Sequence, residues 1–415
     1  MSSFFHKPIQ KWVYFFGLII AGESIYMLPY MRKTFQTSME EVFLISSTEI
    51  GLLNSMFGIL AIFCYFPSGK IADRFSIKKL LLFSLVSTGI GGLAMLIFQS
   101  FTGLLIIHAF WGITSILTFW AALIKATRKW GELIEQGKSF GLLDAGRGAV
   151  AAIIASIATY SFTLAESNDL SLYNVILVYS LAPIFAAIII GFSMKNEDDI
   201  PRESSKSIDK LSLQNLLKYK KVWAFAGIIF CAYSLYLGSF DLPAYAEKTF
   251  DISKSNAAII GTIRDWLRPI MALLAGILAD KFTGVKTIFA AFFILLICYS
   301  SIGYLSDNNS VYIFWLQLIG IASAAFALRG IYFALLEELE FPISDTGKVV
   351  GFVSFIGFTP DAFIHLVSGA FVDAHEGQEG YVDFFLLLAG VALIGMLITF
   401  YLIKHQSDKW KSADT

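Results

Sequence analysis

The charged side chains that could do chemistry in this sequence stand inside long apolar runs. Glu23 lies in WVYFFGLIIAGESIYMLPY, with no basic residue at helical spacing and with Tyr26 one turn on. A carboxylate buried without a partner suits a group that takes up and releases a proton. Arg264, Asp265 and Arg268 form a second cluster, in GTIRDWLRPIM. Arg264 and Arg268 share a helix face at i, i+4, and Asp265 can pair with Arg268 at i, i+3, which leaves one positive charge over. A guanidinium grips a carboxylate or phosphate through two parallel hydrogen bonds. This cluster is therefore the first candidate for an anion clamp, with Trp266 beside it and Pro269 loosening the helix. Asp361 and His365, four residues apart, are candidates for a proton relay, since an imidazole titrates near neutrality. Asp144 and Arg147, at i, i+3, read as a gating salt bridge. Arg329 has no carboxylate within a turn and is free to bind an anion or to reach Asp144. Asp241, just before Pro243, reads as an outer-gate or interface residue. His108 has the setting of a hydrogen-bonded core histidine. Trp111, Trp120, Tyr233, Tyr236 and Tyr332 are aromatic candidates for a cavity wall.

The elements that must position these groups are membrane-spanning helices. The chain has 415 residues, 56% hydrophobic and only 15% charged, with 39 Phe. Its mean hydropathy is +0.69. Soluble domains carry about 25% charged residues. A helix needs about 20 apolar residues to cross a bilayer. Twelve candidates meet this: 11–31, 48–70, 79–99, 102–125, 139–163, 172–194, 222–245, 256–279, 286–305, 310–335, 347–372 and 381–403. With the N-terminus cytoplasmic, the cytoplasmic segments hold 23 of the 31 Lys and Arg residues and the opposite loops hold four, Arg32, Lys33, Lys248 and Lys254. That bias places both termini in the cytoplasm. The first apolar run is too long for a signal-peptide core and is expected to stay as the first span.

The chain repeats itself. GKIADRFSIKK at 69–79 recurs as GILADKFTGVK at 276–286, LPYMRKTF at 28–35 as LPAYAEKTF at 242–250, and Gly137-Lys138 with Gly141 as Gly347-Lys348 with Gly351. The sequence therefore divides into a six-span half at 1–194, a polar linker at 195–221 with a short surface helix near Leu211–Tyr219, and a second six-span half at 222–415. Two such halves related by an axis along the membrane normal place a site at their interface.

The segment Gly69–Lys79, with Asp73, Arg74, Lys78 and Lys79, resembles the signature loop of the major facilitator superfamily between spans two and three. Gly276, Asp280, Lys281 and Lys286 stand where that family has a weaker second copy. The resemblance implies an all-α fold of twelve helices in two halves, working by alternating access as a monomer in the cytoplasmic (inner) membrane. It implies that Gly69, Asp73, Arg74, Lys78 and Asp280 belong to a conformational latch, with Gly69 letting the helix end pack closely. His108 and Gly112 stand where many proton-coupled members have Arg and Gly. The Gly-Pro pair of drug antiporters is replaced by Gly146-Arg147-Gly148.

The expected activity is secondary transport of a small polar, anionic solute by proton symport. Arg264, Arg268, Arg329, Tyr26, Tyr236 and Trp266 are the substrate-site candidates, with Glu23, Asp361 and His365 for protons. Efflux of a drug or siderophore by antiport is the alternative, favoured if the arginines are tied up in ion pairs. A membrane-embedded enzyme and a transporter-like sensor are the remaining classes. The duplication argues against the first, and the shortness of the linker against the second. No P-loop is present, so no ATP motor is encoded. Cys64, Cys231 and Cys298 have no metal spacing. The net charge of -1 gives no footprint for nucleic acid. No cofactor is expected, and the partners are the lipid bilayer, protons and a small-molecule substrate.

Overall fold

The computed structural model describes residues 8–131, 136–165, 168–194, 219–305, 310–339, 341 and 346–413. Among these there is no strand. Eleven helical segments are long and apolar enough to cross a membrane. The twelfth is Lys254–Phe282, a 29-residue helix that carries Arg264, Asp265 and Arg268 in its middle and is less apolar for that reason. Twelve helices in two halves result. Buried apolar side chains form one core running from Tyr14 to Met194, joined by Ala258, and a second from Val222 to Leu402. The linker 195–218 and the inter-span segment around Glu132 lie outside the described residues.

The duplication is written into the helix ends. Ser46 caps span two and Ser253 caps span eight, each accepting a backbone N–H three residues on. Ser100 and Ser310 do the same for spans four and ten. Such caps satisfy N–H groups that would otherwise be stranded at a membrane surface. Two residues before each of the first pair of caps, the chain turns through the left-handed region at non-glycine residues, Leu44 (φ 52°) and Asp251 (φ 49°). A side chain there is strained, so the shared conformation marks one turn inherited by both halves.

Several spans are broken where the candidate residues sit. Span one runs Pro8–Met27, opens at Leu28-Pro29-Tyr30-Met31, and resumes as Arg32–Phe43. Span seven runs Lys220–Gly238, tightens into a 3₁₀ turn at Ser239–Asp241, and resumes as Leu242–Phe250. The Leu-Pro pairs of the repeated motif thus mark matching breaks. Span eleven is interrupted by the 3₁₀ turn Thr359–Ala362, which holds Pro360, and span ten ends in the 3₁₀ turn Tyr332–Ala334. Span four contains a π segment, Thr114–Trp120. Irregular backbone at membrane depth is tolerated where it is covered by protein or lines a cavity.

The halves meet at one end and part at the other. A Cβ on Gly51 of span two would stand 2.4 Å from the carbonyl oxygen of His365, and one on Gly58 would stand 2.4 Å from that of Asp361. Only glycine lets spans two and eleven cross so closely. Further along span two, roughly 27 Å from Gly51 by helix rise, a Cβ on Gly69 would meet nothing within 4 Å, and the same holds for Gly276 and Gly351. The close packing expected at Gly69 is therefore not seen among the described residues.

Candidate functional site

The closed end is sealed by ion pairs between the halves. Arg32 (1% exposed) pairs with Asp241 (0%) and donates to Gln36 Oε1 at 2.6 Å. Lys33 Nζ lies 2.7 Å from Asp265 Oδ2, whose other oxygen is 3.0 Å from Arg264 Nη2. Arg264 also donates to the Ser239 carbonyl at 3.0 Å and covers the Phe240 ring at 4.9 Å. Asp373 of span eleven accepts the backbone N–H of Thr48 at 2.7 Å, at the start of span two. Thr159 and Thr262 share a hydrogen bond of 2.7 Å. Glu41 and Lys254 pair at the rim. Arg32 and Lys33, expected in an outer loop, are thus buried gate residues. The signal was available: they sit in the duplicated LPYMRKTF motif, and Asp241 and Asp265 needed partners.

Asp265 pairs with Lys33 and Arg264 rather than with Arg268, as helical spacing had suggested. The reason is that the N-terminal half brings a lysine to it. Arg264 is consumed in this network and does not line the cleft. Trp266 is 44% exposed and donates to Ser156 Oγ at 3.0 Å, on the flank between spans five and eight.

Deeper in, a four-membered ring joins spans one, five and eight. Glu23 Oε1 accepts from Arg268 Nη1 at 2.8 Å, and Glu23 Oε2 lies 3.4 Å from Arg147 Nε. Asp144 Oδ1 stands 3.8 Å from both Arg147 Nη1 and Arg268 Nη2. Arg147 also donates to the Gly22 carbonyl at 2.9 Å, with Tyr26 and Trp120 flanking it. The expectation of an unpartnered Glu23 therefore fails. Its cation comes from 245 residues away, beyond any helical spacing.

Beside this ring lies a tyrosine-rich surface shared by both halves. Asp361 accepts from Tyr30 at 2.8 Å and from Tyr233 at 2.7 Å. Arg329 lies 3.9 Å over the Tyr236 ring and 5.9 Å over that of Tyr233. Among the described residues, neither Asp361 nor Arg329 has an ion pair. Tyr26, Tyr30, Tyr233, Tyr236, Arg329 and Asp361 are all half-buried. Charged groups at this depth do not face lipid, so their free surface faces the cleft between the halves. Arg329 does not reach Asp144. Asp361 and His365 are separated by the 3₁₀ turn and make no contact as a pair. His365 is buried, stacked on Phe240 at 5.5 Å, with no hydrogen-bond partner on either ring nitrogen.

Of the remaining candidates, Lys78 donates to the Met194 carbonyl at 2.5 Å, and Arg74 is exposed at the open end. The side chains of Asp73 and Asp280 lie outside the described residues. His108 bonds the Leu104 carbonyl at 2.9 Å and packs edge-on against Trp111, within the first core.

Two helical halves, broken spans and a polar cleft closed at one end define a membrane transporter built for alternating access. The chain belongs to the major facilitator superfamily, whose family model matches residues 12–363. The inner membrane protein YqcE of Escherichia coli is 29% identical, with 99% of this chain and 98% of that protein covered. A hexuronate transporter of Bacillus subtilis is 23% identical, with 85% of each chain covered. Among solved structures, an inward-facing, unoccupied bacterial homologue of the human lysosomal transporter Spinster superposes with a TM-score of 0.75, at 15% identity, with 95% of this chain and 97% of that one covered.

Proposed function

We propose that this transporter carries a small organic anion in symport with protons, binding it between Arg329 and the tyrosines of the cleft. The observation that carries this reading is the Arg329 guanidinium. It is half-buried over Tyr236, faces the cleft, and has no ion pair among the described residues. With Tyr332 as its hydrogen-bonding neighbour and no carboxylate partner, such a guanidinium can turn its forked donor edge to a carboxylate. Tyr26, Tyr30, Tyr233 and Tyr236 supply ring faces and hydroxyls for the rest of the solute. Asp361, held by two hydroxyls and no cation, is the proton-carrying group. Glu23, Asp144, Arg147 and Arg268 form the inter-half ring that reorganises during turnover. Asp241 and Asp265 close the outer gate with Arg32, Lys33 and Arg264. With both termini in the cytoplasm, as the basic loops require, the Gly69 end opens inward. The membrane is the inner one, as for YqcE by its name.

Efflux of a drug or siderophore is the second reading. The pairing of Arg264 and Arg268 favours it, and the unpaired Arg329 weighs against it. The test is proteoliposome uptake with an internal pH-sensitive dye, offering pools of organic anions, sugar phosphates, amino acids and neutral sugars. Uptake of an organic-anion pool with internal acidification, abolished by Arg329→Gln, is the expected result. Uptake confined to neutral or cationic solutes and unaffected by Arg329→Gln would overturn the reading.

A further inference from the structure

The charges of the cleft can be counted. Between the outer gate and Lys125, which is engaged with the Ala72 carbonyl toward the open end, the described residues place three basic groups, Arg147, Arg268 and Arg329, and three acidic ones, Glu23, Asp144 and Asp361. The ring of Glu23, Asp144, Arg147 and Arg268 is closed on itself, each carboxylate lying within 3.8 Å of both guanidiniums. It is neutral as a unit. What remains is one cation and one anion, Arg329 and Asp361. They form no ion pair, and Tyr233 touches both: it gives its hydroxyl to Asp361 at 2.7 Å and offers its ring to Arg329 at 5.9 Å.

This arrangement fixes what the cleft can accept. Counted over these described groups the empty cleft is neutral, with Arg329 in the field of both Asp144 and Asp361. An anion docked on Arg329 cancels the one free guanidinium among the described residues of the cleft, and once the cleft closes over the solute Asp361 is left uncompensated and away from water, where an isolated charge is strongly disfavoured. Neutrality returns when one proton binds an Asp361 oxygen. The groups facing that carboxylate offer no other source of compensation. Tyr30 and Tyr233 bond it, Tyr26 and Tyr65 lie in electrostatic range, and Arg329 is the nearest counter-charge. His365, on its own span, is turned into the Phe240 stack.

We infer that the cleft takes a solute bearing a single carboxylate together with one proton on Asp361, so that each turnover moves one negative and one positive charge and no net charge. The inference rests on the anion–proton reading above and fixes its valence and stoichiometry. The proton forms an O–H bond at Asp361 from water on the side where the solute enters. It leaves that oxygen to water on the side where the solute departs, so no charge is left behind. A second carboxylate on the solute finds no second free guanidinium among the described residues, and a neutral solute gives no reason for Asp361 to be protonated.

The test uses the intact protein in proteoliposomes and three solutes of one carbon skeleton: D-glucose (neutral), D-glucuronate (one carboxylate) and D-glucarate (two). Membrane potential is set by a potassium gradient with valinomycin, and the pH gradient is set independently. The expected result is glucuronate uptake driven by a pH gradient, changed less than twofold by a potential of either sign, and at least tenfold faster than that of glucarate or glucose. Asp361→Asn is expected to lose glucuronate accumulation driven by the pH gradient. Glucuronate uptake that responds strongly to potential, or glucarate carried as fast as glucuronate, overturns the inference and leaves the anion reading standing. Transport of glucose alone, unaltered by Arg329→Gln, overturns both.

Discussion

Replacing Asp241 with Asn is expected to unlatch the closed end of the molecule. In the structure Arg32 and Asp241 are 1% and 0% exposed and pair across the two halves, so solvent screening does not dilute the interaction. Removing one partner of a buried pair costs about 3–5 kcal/mol. The lower end applies here, because Gln36 still accepts from Arg32 at 2.6 Å. The loss falls only on the conformation that contains the pair, so about 3 kcal/mol shifts the opening equilibrium roughly a hundredfold. The assay is maleimide labelling of a cysteine placed at Ser38, which is 2% exposed beside the gate. The detergent-purified background has Cys64, Cys231 and Cys298 replaced. Labelling should accelerate between ten- and a hundredfold in Asp241→Asn. The double variant Arg32→Gln with Asp241→Asn should label slowly again, since it restores an uncharged partner for each buried group. Unchanged labelling in Asp241→Asn, or no recovery in the double variant, would refute the latch.

Two further outcomes follow from the packing and from the ring. Gly58→Leu forces a side chain against the Asp361 carbonyl, 2.4 Å from where its Cβ would stand; it should hold the halves apart, raise labelling at position 38 and cut transport at least tenfold, while the thermal unfolding temperature falls only modestly. Glu23→Gln leaves Arg147 and Arg268 sharing one exposed carboxylate, Asp144; it should lower thermal stability and abolish counterflow as well as uphill uptake, whereas a pure proton carrier would lose only the uphill component.

Composition and spacing made the membrane class, the helix count and the duplication legible, because each depends on residues near one another in the chain. The matching caps at Ser46 and Ser253 are sequence signals of the same kind. The candidate site was legible only as a set of residue types. Glu23 looked unpartnered because its cations lie on spans five and eight. Asp265 looked like a partner for Arg268 because spacing sees one helix at a time, and Lys33 comes from another. Asp361 and His365 looked like neighbours because four residues make a turn in a continuous helix. Pro360 and the 3₁₀ turn remove that continuity. Arg329 is the candidate that gained no ion pair among the described residues, although it stands in the field of Asp144 and Asp361.

Span eight also bears on how the protein is made. Its middle carries Arg264, Asp265 and Arg268, and each such charge near a helix centre costs about 2.5–3.5 kcal/mol to insert from the translocon. The partners that neutralise them include Lys33 and Glu23, which are synthesised more than two hundred residues earlier. Two of those charges therefore find these partners only once the first half is present. A chain begun at the linker would present the ribosome's membrane machinery with a helix it has reason to reject, so the order of synthesis is itself part of the design of the transport pathway.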